Sequence, residues 1–152
     1  MNRSRRSAVK AGSVLALLMA AGIRPAIAQA QQWNQAAFGG KTLKDAMAAL
    51  GAQSPASSDA IAIKAPEIAE NGAVVPVAVE SRLPNTQSIT LLVEKNPLPL
   101  AAVFDLPAGT EPSVATRVKM GESSDVYALV KADGKFFVAR KEVKITIGGC
   151  GG

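Results

Sequence analysis

Apolar residues alternate with other residues along several short segments of this chain, and that period of two decides what it can fold into. The sets Val75, Val77, Val79; Ile89, Leu91, Val93; Val114, Thr116, Val118, Met120; Val126, Ala128, Val130; and Val143, Ile145, Ile147 are each spaced by two. An extended backbone turns successive side chains to opposite faces, so each set lies on one face of a strand. Turn chemistry falls between them at Asn71-Gly72, Leu83-Pro84-Asn85, Pro97 to Pro99, Pro107-Ala108-Gly109 and Asp133-Gly134, the last with the form of a two-residue hairpin turn. About seven or eight short strands with a polar alternate face predict an all-β domain, an antiparallel sandwich of immunoglobulin type, with an open barrel as the alternative. The Cys and Trp hallmarks of antibody domains are missing, because Trp33 precedes the first strand. Ahead of the strands, Thr42-Leu43-Lys44-Asp45 reads as a capping box. Leu43, Met47 and Leu50 share a helical face and Gly51 supplies a stop, which predicts a short helix from Leu43 to Leu50. Gly51 to Asp59 then has the composition of a loop.

The residue inventory removes most catalytic chemistries. There is no histidine and one cysteine among 152 residues. Histidine-based triads, histidine metal or haem sites, internal disulfides and thiolate clusters therefore have no residues to form from. The net charge of +5 suggests a nucleic-acid partner until its location is considered. Arg3, Arg5, Arg6, Lys10 and Arg24 all precede residue 31 with no acidic residue among them, and the rest of the chain carries 12 charges of each sign. The body is neutral and predicts no phosphate-binding surface.

Residues 1–30 read as an export address. A basic start is followed by the uncharged run Ala11 to Ile23, then by small residues that suit cleavage after Ala28 or Ala30. That run is shorter than the roughly 18 residues that span a bilayer, so no membrane anchor is expected. Ser4-Arg5-Arg6-Ser7-Ala8-Val9-Lys10 resembles a twin-arginine signal, with an ordinary secretory signal as the alternative. A twin-arginine route carries folded proteins, and a folded partner travelling as passenger would explain its use. Either signal predicts a periplasmic or secreted product, with residues 31–147 forming one sandwich domain.

Inside that body no Gly-rich phosphate loop, calcium loop or nucleophile elbow appears. Glu67 and Glu70 would share a helical face, but Pro66 and Asn71-Gly72 frame them in a turn and predict solvated charge. Ser123-Ser124 shows turn composition and no more. Arg117 and Lys119 place two cations on one exposed strand face, where solvation is the plain reading and an acidic partner the sharper one. No catalytic residue and no metal ligand is expected.

The C-terminus is more specific. The last strand candidate, Lys141 to Ile147, runs into Gly148-Gly149-Cys150-Gly151-Gly152. Four glycines impose almost no backbone restriction, which predicts a thin, flexible arm at residues 148–152 that carries the only thiol about 10 Å beyond the strand. No basic neighbour or helix start stands beside Cys150 to raise its thiolate fraction. The sequence thus describes a carried handle that is activated inside another protein's active site. Prenylation would need the cysteine fourth from the end, and a sulfur carrier of ubiquitin type would not be exported. An intermolecular disulfide through Cys150 is the alternative use, making the domain a tethered or dimerised binding module.

An exported, histidine-free β domain with this terminus resembles the SoxY family, the sulfur-compound carrier subunits of the periplasmic Sox thiosulfate-oxidation system. The likeness extends over Ile68-Ala69-Glu70-Asn71-Gly72-Ala73-Val74-Val75-Pro76-Val77, Glu94-Lys95-Asn96-Pro97, Thr116-Arg117-Val118-Lys119-Met120, and Ile145-Thr146-Ile147 with the terminal motif. The resemblance implies that Cys150 is the site of covalent substrate attachment and that Gly148, Gly149, Gly151 and Gly152 form its swinging arm. It implies a heterodimer with a SoxZ-like subunit. It further implies service by a haem c enzyme that couples thiosulfate to the thiol, a manganese hydrolase that releases sulfate and, where present, a sulfur dehydrogenase. It implies no cofactor of the chain's own beyond the sulfur adduct, and no nucleic-acid or membrane partner.

Overall fold

The computed structural model describes residues 34–146. Two short helices, α1 (Gln35–Gly39) and α2 (Leu43–Ala49), precede nine strands: β1 (Ala56–Ser57), β2 (Ile61–Lys64), β3 (Ile68–Ala69), β4 (Val75–Ser81), β5 (Thr86–Val93), β6 (Leu100–Asp105), β7 (Ser113–Val118), β8 (Ser124–Ala132) and β9 (Lys135–Ile145). The larger sheet has the order β1-β9-β8-β5-β6, with β3 also on β9, and the smaller is β2-β4-β7. Pairing is antiparallel throughout, apart from β1 and β3, which lie parallel to β9. Two sheets that share a core without pairing to each other make a sandwich of the predicted immunoglobulin-like kind and not a barrel.

The alternation predicted from sequence supplies that core. Val75, Val77 and Val79 of the small sheet face Ile89, Leu91, Val93, Val126, Ala128, Val130 and Val143 of the large one, all 2% exposed or less. Met120 joins them from beyond the end of β7, closing the apolar face that begins at Val114. Ile147, the last member of the final set, lies outside the described residues.

The polar alternate face is where the expectation fails. The outer face of the large sheet carries Leu92, Leu100 and Leu129, which form a second buried cluster with Ala37 of α1 and Ala46 and Met47 of α2. Covering one face with helices leaves β5 buried on both sides from Ile89 to Val93, a continuous run instead of an alternating one. The predicted helix is present and ends one residue early, at Ala49. Thr42 accepts the Asp45 amide at 3.1 Å. Gly51, at φ +82°, donates to the Ala48 carbonyl while Ala52 donates to Met47, a Schellman ending. The additional helix α1 is capped by Asn34, whose side chain accepts from the Ala37 amide and donates to the Ala49 carbonyl, tying the two helices together.

The turn at Asp133-Gly134 takes positive φ at both residues, 48° and 72°, as a tight hairpin between β8 and β9 requires. It allows β9 to run unbroken for eleven residues to Ile145, so the last strand begins six residues earlier and ends two earlier than Lys141 to Ile147.

Candidate functional site: the root of the C-terminal arm

Cys150 and the four terminal glycines lie outside the described residues, as do the predicted signal peptide and its twin-arginine pair. The described residues do show how the strand leading to the cysteine is held. Along one edge of β9, Lys144 and Thr146 donate their amides to the carbonyls of Glu67 and Ala69, so β3 braces the strand to its end. On the other edge the Ile145 amide, next after the last β8 pair at Ser124 and Val143, donates to the Ser123 hydroxyl at 2.9 Å. Both edges of β9 are thus occupied up to the point where the chain departs.

Three loops close around that point. Gly72 accepts the Met120 amide at 2.7 Å, and a Cβ at Gly72 would stand 2.4 Å from the Met120 carbonyl oxygen and 3.2 Å from Ile145 Cγ2. Only glycine lets the loop before β4 pass between the end of β7 and the end of β9. Asn71 accepts the Ala73 amide with its side chain and shapes the turn. From the third loop, Asn96 donates to the Lys119 carbonyl at 2.7 Å and accepts the Gly121 amide at 3.2 Å, fastening the β5–β6 loop to the β7–β8 loop.

These contacts settle several sequence readings. The Ser123 hydroxyl serves the Ile145 amide. That of Ser124 accepts from the Lys95 amide and donates to the Asp125 carbonyl, so each has a structural partner. Glu67 and Glu70 have the exposed, solvated side chains that were predicted, but they flank the two-residue strand β3, which pairs with β9, where the framing by Pro66 and Asn71-Gly72 predicted a turn. Arg117 and Lys119 are exposed. Nearby on the large sheet, burial pushes the Tyr127 hydroxyl above its ordinary pKa, with Glu94 and Asp125 acting in the same direction and Arg140 against it. Among the described residues no three potential metal ligands come together. No described helix is long and apolar enough to cross a membrane.

Sequence reasoning did not single out Asn71, Asn96 or Ser123 as fastenings of this root. Two of them lie in the stretches that carry the SoxY resemblance. Those stretches, 68–77, 94–97 and 116–120, are distant in sequence and meet around the root of the arm.

The family described as "Sulfur oxidation protein SoxY" matches residues 46–150, more than half of the chain and through the cysteine itself. The chain belongs to the SoxY family. The solved structure of the sulfur carrier protein SoxY from Chlorobium limicola f thiosulfatophilum is 42% identical, with a TM-score of 0.63 over 70% of this chain and 97% of that one. A superoxide reductase (neelaredoxin) from Ignicoccus hospitalis aligns at 26% identity and a TM-score of 0.50, covering 57% of this chain and 80% of its own. A variant of that reductase, at 23% identity and a TM-score of 0.51 over 65% of this chain and 87% of its own, shows a shared sandwich and no more. No curated protein matches the chain. Membership in the SoxY family makes this a sulfur-oxidation protein of carrier type and not an enzyme.

Proposed function

We propose that the exported chain carries sulfur intermediates covalently on Cys150 in the periplasm during thiosulfate oxidation and presents them to partner enzymes. The observation that carries this reading is the family match running through Cys150, joined to a root where β3 and Ser123 hold β9 to its end. From Ile145 the thiol is five residues away, giving a reach of up to about 17 Å in extended form.

Loading joins the Cys150 sulfur to the outer sulfur of thiosulfate. The thiol proton is released and two electrons pass to the haem c enzyme, leaving a thiosulfonate on the chain. Hydrolysis at the manganese enzyme breaks the bond between the two sulfurs of the former thiosulfate. Water oxygen goes to sulfate and a persulfide remains on Cys150. Where a sulfur dehydrogenase is present, it takes six electrons from that persulfide and adds three oxygens from water, and a second hydrolysis restores the thiol. A SoxZ-like subunit completes the carrier as a heterodimer, and a folded pair leaving together accounts for a twin-arginine signal on one of them.

The rival use of Cys150 is a tether to another chain. Electrophoresis of the mature protein without reductant separates the two. The carrier is expected at the mass of a single chain, whereas a predominant reductant-sensitive species of higher mass would favour the tether.

A further inference from the structure

The turn at Asn71-Gly72 shapes the loop before β4, and its polar groups carry a chemistry that the shaping does not use. Of the five asparagines in the chain, Asn71 alone is followed by glycine. Three of the others lie among the described residues and have their side-chain amides tied down. Asn34 Nδ2 donates to the Ala49 carbonyl at 3.1 Å, Asn85 Nδ2 to Asp133 Oδ1 at 2.8 Å, and Asn96 Nδ2 to the Lys119 carbonyl at 2.7 Å. Asn71 Oδ1 accepts the Ala73 amide at 2.9 Å, but its Nδ2 donates no hydrogen bond among the described residues. The Gly72 amide is equally uncommitted among those residues, while the Gly72 carbonyl accepts from Met120.

This arrangement favours one reaction. Accepting the Ala73 hydrogen bond folds the Asn71 side chain back over the Gly72 peptide unit and draws electron density from Cγ. Glycine has no Cβ to shield its nitrogen, and Asn71 is exposed to water and hydroxide. Once deprotonated, the Gly72 nitrogen closes on Asn71 Cγ. The N–Cγ bond forms, the Cγ–Nδ2 bond breaks, and ammonia leaves with a proton from solvent. Water then opens the succinimide without any transfer of electrons. Cleavage of the N–Cγ bond gives aspartate. Cleavage between the Gly72 nitrogen and the Asn71 main-chain carbonyl carbon gives isoaspartate, in which the chain runs through Cβ and Cγ. The two products are unequal here, because aspartate keeps an oxygen for the Ala73 amide. Isoaspartate inserts a methylene into the main chain just ahead of Gly72, where the backbone has no slack: the Gly72 carbonyl is held by the Met120 amide at 2.7 Å, and a Cβ on Gly72 would stand 2.4 Å from the Met120 carbonyl oxygen.

We propose that Asn71 is a spontaneous modification site, deamidating through a succinimide with Gly72, and that its isoaspartyl product loosens the root of the arm. The site does not depend on what Cys150 carries. The test incubates the mature chain in mildly alkaline buffer, folded or in urea, and follows its peptides by mass spectrometry. An isoaspartyl methyltransferase with a labelled methyl donor reports the isoaspartyl form. The folded chain is expected to lose the Asn71 amide progressively, faster as pH rises, while Asn34, Asn85 and Asn96 keep theirs. Asn96 is the internal control, because Pro97 has no amide proton to lose. An Asn71 amide that persists in the folded chain while the unfolded chain converts would mean that the fold shields it, and would overturn the proposal. Returned to neutral pH, the aged chain should unfold at a lower urea midpoint than a fresh sample. Asn71→Gln, which closes a larger ring far more slowly, should keep its fresh midpoint after the same treatment. Asn71→Asp should match fresh wild type, which assigns the loss to the lengthened main chain and not to the added charge. An isoaspartate-bearing chain with the fresh midpoint, or an equal loss in Asn71→Asp, would refute the loosening.

Discussion

Replacing Cys150 with serine is expected to abolish thiosulfate-dependent sulfate formation in a system reconstituted from the mature chain and the Sox enzymes, while leaving the protein as stable as before. The substitution exchanges one atom, but a serine hydroxyl does not form the sulfur–sulfur bond on which loading depends, and at neutral pH it is not ionised as a thiol partly is. Stability should stay within about 0.5 kcal/mol of wild type, because the substitution exchanges a single atom and both described apolar clusters are built from residues between 34 and 146. A single variant thus separates chemistry from fold. Retained turnover would mean that sulfur is carried elsewhere, and the composition offers no second thiol to carry it.

Gly72→Ala is expected to damage the fold at the root of the arm. The added methyl would meet the Met120 carbonyl oxygen at 2.4 Å, and neither party is a flexible side chain that could swing aside. Relief requires the loop before β4 to move away from Met120, straining the 2.7 Å hydrogen bond from the Met120 amide to the Gly72 carbonyl. Overpacking of this kind costs about 1–3 kcal/mol. Denaturant unfolding should show a lower midpoint at unchanged slope. Gly121→Ala is the matched control in the neighbouring loop, since a Cβ there meets nothing within 4 Å. Equal midpoints for the two variants would contradict the packing described around Ile145.

The same geometry explains which parts of the molecule could be read from sequence. β4 and β8 were legible because one face meets the core, so Val75, Val77, Val79 and Val126, Ala128, Val130 repeat at the period of a strand. Asp133-Gly134 was legible because few residue pairs accept positive φ twice in succession. The helix cover over the large sheet was hidden in Leu91-Leu92-Val93. Burial on both faces turns alternation into a continuous run, and the run does not announce what lies on its second side. α1, five residues long, is too short to show a period. The two-residue strands β1 and β3 owe their existence to β9, far along the chain, and leave no local pattern. At the arm root, Asn71 and Ser123 read as turn residues, and Asn96 stands just before the turn at Pro97 to Pro99. What they fasten is set by tertiary contacts that no local window contains. The cysteine itself was conspicuous because it is the only thiol in the chain and stands among four glycines.

The most direct measurement is the mass of the intact mature protein and of its C-terminal peptide, isolated without reductant from cells oxidising thiosulfate and examined again after reduction. Covalent carriage predicts additions confined to the Cys150 peptide, matching sulfane sulfur, thiosulfonate or sulfonate, with the persulfide and thiosulfonate forms removed by reduction and the unmodified mass recovered. A Cys150 peptide that carries only a free thiol or another protein chain under those conditions would contradict the account.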